Sequence, residues 1–91
     1  MDPTVTHNPP ASRFEATLQG RLAECSYQRQ GDVLLLHHTE VPVELQGKGV
    51  AAALVQAALA WARAEGLRVR PVCSYVAAFM KRHPETQDLL A

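Results

Sequence analysis

The sequence predicts an α+β domain whose mixed, mostly antiparallel sheet contains one βαβ crossover. Three observations predict it. Strand-like runs follow one another between residues 12 and 41, an alanine-rich helical pattern fills 50–65, and another strand-like run follows at 67–72. A helix of that length between two strands is a crossover, so those two strands are expected to be parallel neighbours. The earlier strands are close enough to join as hairpins.

Each element has its own signal. Phe14, Ala16 and Leu18 alternate with Glu15, Thr17 and Gln19, which predicts a strand with one buried face. Gly20 marks a turn, and Ala23, Cys25 and Tyr27 continue the alternation in a second strand. After Gln30-Gly31-Asp32, the apolar run 33–36 predicts a strand covered on both faces and extending to about Val41. Pro42 should end its pairing. Val50, Leu54, Ala57, Ala58, Trp61 and Ala62 lie on one helical face, and Gly66 suits the helix end. Ser74 is placed to cap a second helix to about Arg82. Pro84 stops that helix and starts a last short turn over 85–90. Residues 1–11 hold three of the six prolines and little to bury. They read as a disordered leader before a single domain, 12–91.

Composition excludes several classes. Nine basic residues balance nine acidic ones, which argues against nucleic acid and anionic membrane as partners. No apolar run is long enough to span a bilayer. Residues 1–10 are polar and proline-rich, unlike a secretory signal. Two cysteines are too few for a disulfide scaffold, so reduced thiols and a cytoplasmic location are expected. His37 and His38 are adjacent on a strand and cannot chelate one metal as a pair, and no zinc-type spacing occurs, so no metal site is expected.

The chemistry sits in Gln46-Gly47-Lys48-Gly49-Val50-Ala51. A helix start leaves N–H groups without partners and carries the positive end of the peptide dipole, a natural seat for a diphosphate. Gly47 and Gly49 remove Cβ atoms from the approach, and Lys48 adds a mobile positive charge. By the glycines alone, a tight turn into a helix is the commoner explanation of the segment. It lacks the Gly-Lys-Ser/Thr of a Walker loop and the spacing of the dinucleotide fingerprint.

The loop, as Gln46, Gly49 and Ala51, resembles the Q/R-x-x-G-x-G/A pattern of the GNAT N-acetyltransferase superfamily. His38-Thr39-Glu40-Val41-Pro42, Pro71-Val72-Cys73-Ser74-Tyr75 and His83-Pro84-Glu85 extend the likeness to its small single-domain members, over most of 14–85. The resemblance implies a minimal acyl-CoA N-acyltransferase fold that binds acetyl-CoA (coenzyme A) and passes the acetyl group to an amine. It implies cofactor contacts at Val41, Gln46, Gly47, Lys48, Gly49, Val50, Ala51, Cys73 and Tyr75. The strands 33–41 and 67–72 should splay to admit the pantetheine arm. Full-length members place helices between their first two strands; here only Gly20 intervenes, so the acceptor side should be open.

Four residues are catalytic candidates. Cys73 precedes a helix start that lowers a thiol pKa, and reads as an acetylated intermediate, a general acid or base, or a packing residue. Tyr75 reads as a proton donor to the leaving thiolate or as core. His38 is a candidate general base near neutral pH, with Glu40 on its face to orient it or to act through water. His83 is expected mainly to cap its helix, and Cys25 to be core. Arg68 and Arg70 share a strand face, solvated or meeting the adenosine 3′-phosphate. A second reading is a CoA or acyl-CoA binding module without efficient catalysis; a third is a structural domain with an empty loop. A monomer or weak homodimer is expected, the first strand offering a sheet edge.

Overall fold

The computed structural model describes residues 3–91. It contains strands β1 (Val5–Asn8), β2 (Arg13–Leu18), β3 (Arg21–Gln30) and β4 (Val33–Glu40), helix α1 (Val50–Ala64), strand β5 (Arg68–Pro71) and helix α2 (Ser74–Arg82), with 3-10 turns at Pro9–Ala11, Val43–Leu45 and Pro84–Leu89. The strands form one sheet in the order β1-β2-β3-β4-β5. All neighbours are antiparallel except β4 and β5, which are parallel across α1. The α+β architecture with its βαβ crossover is therefore the one the sequence predicts.

One face of the sheet makes the core. Phe14 pairs with Cys25, Ala16 with Ala23, Tyr27 with Leu36 and Leu34 with Val69, and all eight are buried. Leu54, Val55, Ala58 and Leu59 of α1 join the same cluster, as do Val76, Phe79 and Met80 of α2. Removing this apolar surface from water supplies the main drive to fold, at about 25 cal/mol per Å². The opposite face, including Arg13, Glu15, Glu24, Val33 and Leu35, holds no buried residue. The apolar run 33–36 is thus covered on one face only. Val33 and Leu35 are half-buried by their neighbours on the sheet, not by a helix layer.

The leader expectation also fails where the structure describes it; Met1 and Asp2 of that segment lie outside the described residues. Residues 5–8 form the edge strand, with Val5 opposite Ala16 and His7 opposite Phe14. The sheet edge therefore belongs to β1 and not to the strand at 13–18. The signal was hidden because His7 behaves as an aromatic. Its ring stacks on Phe14 at 4.2 Å, meets Trp61 edge-on at 4.6 Å and hydrogen-bonds Tyr27 Oη through Nε2 at 2.7 Å.

Burial holds the His7 imidazole below its ordinary value. Between that lowered pKa and about 6.5 the unfolded chain binds more protons than the folded one. Stability therefore rises with pH across this window and is lost as pH falls through it. The melting temperature of the parent is expected to drop on acidification from about pH 7 to about pH 5 by more than that of His7→Gln. Equal drops would show that His7 does not carry the effect.

Candidate functional site

Pairing between β4 and β5 ends at Leu36 and Pro71, and the last link between the two segments is Cys73 N–H to Leu36 O at 2.9 Å. β4 runs on to Glu40 against β3 alone, so the two segments part as expected. A β-bulge sits at the same place. Ser26 faces His38 while Tyr27 faces Leu36, leaving His37 unpaired. An extra residue shifts the inward–outward phase of the strand beyond it. Leu34 and Leu36 point into the core, but Thr39 follows them inward, opposite Cys25. His38 and Glu40 are turned to the open face.

Beyond the bulge, Pro42 ends the ladder and a 3-10 turn leads through Gln46 to the glycines. Gln46 ties the loop to the strand end by donating Nε2–H to Val41 O at 3.2 Å. Gly47 and Gly49 have φ of +80° and +78°, conformations that disfavour any residue with a Cβ. A Cβ at either would meet nothing within 4 Å, so both open onto free space. Gly49 is the N-cap of α1 and no side chain caps this end, which leaves the N–H groups of the first turn for a ligand.

A groove of about 420 Å³ joins these parts, lined by Thr39, Val41, Gln46, Gly47, Gly49, Ala51, Ala52 and Tyr75. It runs from the start of α1 to the gap between β4 and α2. The loop residues foreseen from the sequence are thus brought together with Val41 and Tyr75. Two behave differently. The Val50 side chain is buried in the core, so only its backbone is free for a ligand. Lys48 lines a separate groove on the other flank of α1.

Cys73 lies at the head of this gap as the N-cap of α2; Ser74 is the first helical residue, not the cap. The Cys73 thiol donates to Thr39 Oγ1 at 3.6 Å, and Thr39 donates to Cys25 Sγ at 3.7 Å. Burial alone would raise the Cys73 pKa. The Val76 N–H, the Thr39 hydroxyl and the Tyr75 N–H outweigh it, and the thiol lies below its ordinary value, although no formal side-chain cap bond closes. Cys25 is fully buried and is pushed up to about 11. Iodoacetamide is expected to label Cys73 and spare Cys25 in the folded protein. Peptide mapping that found Cys25 modified first would contradict this environment.

His38 and Glu40 stand apart from this arrangement. Their Nε2 and Oε2 atoms are 4.0 Å apart, too far for a hydrogen bond, and both side chains are exposed. Glu24 of β3 joins them, with donor atoms of all three within 4.8 Å. Arg13 anchors Glu24 at 2.9 Å. Sequence reasoning overlooked Thr39 and Glu24 because each is one more polar residue on a strand until the register is known. His83 is structural, since it donates Nδ1–H to Phe79 O at 2.7 Å and stacks on the Phe79 ring at 4.0 Å. Arg68 holds the carbonyls of Asp88 and Leu90 at 3.0 and 3.3 Å.

Parted parallel strands, a bulge on the strand before the gap and an uncapped glycine turn into the crossover helix together define an acyl-CoA N-acyltransferase type of fold. The family model described as GCN5-related N-acetyl-transferase matches residues 13–89, and the chain belongs to that family. Protein NATD1 of Bos taurus is 35% identical over 88 residues, covering 93% of this chain and 78% of that protein. Protein NATD1 of Xenopus tropicalis is 32% identical over 96 residues, covering 98% and 88%. The solution structure of a GCN5-like protein from Staphylococcus aureus superposes with a TM-score of 0.77 over 97% of this chain and 87% of that one, at 24% identity. That last likeness is one of fold. Among the described residues, no helix is long and apolar enough to cross a membrane.

Proposed function

We propose that the protein binds acetyl-CoA and transfers its acetyl group to an amine. The observation that carries this reading is the groove that runs from the gap between β4 and α2 to the uncapped first turn of α1, just after two positive-φ glycines. In this reading the N–H groups of that turn hold the diphosphate, and the pantetheine arm lies along Val41, Ala51 and Tyr75. The thioester reaches Thr39 and Cys73.

Cys73 is the group best placed to meet the thioester, because it shares the covered face with Thr39 while the bulge turns His38 and Glu40 away. The Cys73 thiolate attacks the acetyl carbon, its S–C bond forms, the coenzyme S–C bond breaks, and the thiolate of CoA departs. Tyr75 is placed to give that thiolate a proton. A neutral amine then attacks the acetyl-Cys73 carbon; the C–N bond forms and the Cys73 S–C bond breaks. His38, Glu40 and Glu24 stand on the open face of the sheet, outside the groove, where they would accept the proton of an amine that approaches from that face.

The open sheet face also favours a second reading, a CoA or acyl-CoA binding module with little turnover, since no helix layer builds an acceptor pocket there. Thiol release from acetyl-CoA, followed across a panel of small amines, peptide N-termini and lysine peptides, separates the two. Amine-dependent release is the expected result. Saturable acetyl-CoA binding without release by any amine would establish the binding module instead.

A further inference from the structure

The bulge in β4 turns a hydroxyl inward and sets it between two thiols. Thr39 lies opposite Cys25 in the β3–β4 ladder. Cys73 reaches it from the other side, where the chain leaves β5 and the Cys73 N–H is held by Leu36 O at 2.9 Å. Thr39 Oγ1 accepts from the Cys73 thiol at 3.6 Å and donates to Cys25 Sγ at 3.7 Å. A small β-branched residue suits this strand, but valine would supply that shape without a polar atom to satisfy.

The two sulfurs differ in what they can accept. Cys25 is fully buried, and that burial pushes its pKa up to about 11, so it stays a thiol at neutral pH. Cys73 is half-buried at the N-cap of α2 and reaches its thiolate more readily. A hydroxyl has one proton to give and two lone pairs to offer. While Cys73 is a thiol, Thr39 gives that proton to Cys25. Once Cys73 is a thiolate it is the stronger acceptor, and the hydroxyl turns to it. The Cys25 S–H is then free to turn toward Oγ1. Only the proton that leaves Cys73 is lost; the rest of the exchange is a pair of rotations, with no proton changing its heavy atom.

We infer that Thr39 is the positioning residue of the Cys73 nucleophile: its hydroxyl rests on Cys25 while Cys73 is protonated or acylated, and swings to Cys73 to hold the thiolate. The inference rests on the reading of Cys73 as nucleophile and adds to it the group that holds the attacking sulfur. It also gives the bulge a task, since alternation from Leu36 would send His38 inward in place of Thr39.

The pH profile of Cys73 alkylation by iodoacetamide, read by peptide mapping on the full chain, tests it without any cofactor. Thr39→Val should raise the midpoint by about one pH unit, and Thr39→Ser should restore it. Thr39→Ala gives the same reading if valine is not accommodated. Cys25→Ala should leave the midpoint at or below that of the parent, because it removes the competing acceptor. Amine acetylation adds a second readout. At a pH below both midpoints Thr39→Val should be about threefold slower than the parent, because an about tenfold smaller thiolate fraction is partly offset by a more nucleophilic thiolate. That deficit should close above both midpoints, which a packing defect would not do. An unmoved midpoint in Thr39→Val and Thr39→Ala, a shift that serine fails to restore, or a rise in Cys25→Ala equal to that in Thr39→Val would overturn the assignment. A shifted midpoint in a chain whose Cys73 takes no acetyl group from acetyl-CoA would remove the acetyl-transfer reading and leave the hold of Thr39 on the thiolate standing.

Discussion

Gly49→Glu is expected to bind acetyl-CoA at least about a hundredfold more weakly than the parent, a loss of roughly 2.7 kcal/mol. Two costs combine. Gly49 has a φ of +78°, where a residue with a Cβ is destabilised by about 1–2 kcal/mol. The new side chain would also grow into open space at the mouth of both grooves, because nothing stands within 4 Å of its Cβ. Its carboxylate would then occupy the seat proposed for the diphosphate and repel it. Gly49→Ala separates these terms, since it introduces the backbone strain without the charge. The alanine variant should lose thermal stability like the glutamate variant but keep most of its acetyl-CoA affinity. Equal affinity in parent and Gly49→Glu, measured by calorimetry on variants that melt cooperatively, would show that the loop is only a turn.

Cys73→Ala should cut amine acetylation by on the order of 10³-fold while leaving acetyl-CoA affinity close to that of the parent. The sulfur contributes little to the groove walls, so binding has no reason to fall. Loss of turnover with binding intact separates a nucleophile from a binding residue. Incubating the parent with acetyl-CoA and no amine should add one acetyl group, recovered on the peptide containing Cys73. The pH dependence has a defined sign. The thiol lies below its ordinary value, and the thiolate is the reactive form, so acetylation of Cys73 should rise with pH along a limb centred below that of an ordinary cysteine. Normal turnover in Cys73→Ala would exclude the covalent route and leave direct attack of the amine on the thioester, with His38 or Glu40 accepting its proton.

The phase of β4 shows what alternation in a sequence conveys and where it stops. From Leu34 and Leu36, strict alternation would carry His38 and Glu40 inward, onto the thioester side. The bulge at His37 reverses that, and nothing in the local residue types announces a bulge. The loop 46–51, the α1 and α2 helices and the end of β4 were legible, because glycine spacing, helical periodicity and Pro42 act locally, whereas the parting of β4 from β5 at Leu36 was implied only by the family resemblance. β1 was not, because its inward residues are one valine and one histidine, and His7 becomes an aromatic core residue only once Phe14, Tyr27 and Trp61 surround it. The one-sided burial of 33–36 was hidden for a related reason: an apolar run reads alike whether its second face meets a helix layer or only cross-strand partners such as Gln28 and Arg70. Gly20 had already carried the hint, since a two-residue turn at Gln19-Gly20 leaves no chain between those strands to build that layer.

The donor site is tested most directly by titrating labelled protein with acetyl-CoA and following backbone amide shifts. Saturable shifts at Gln46, Gly47, Gly49, Val50, Ala51 and Ala52, with Thr39 and Tyr75 moving in step, are the predicted result. No shifts at near-millimolar ligand would contradict the account. So would shifts confined to the smaller cavity beside Phe79, His83 and Thr86.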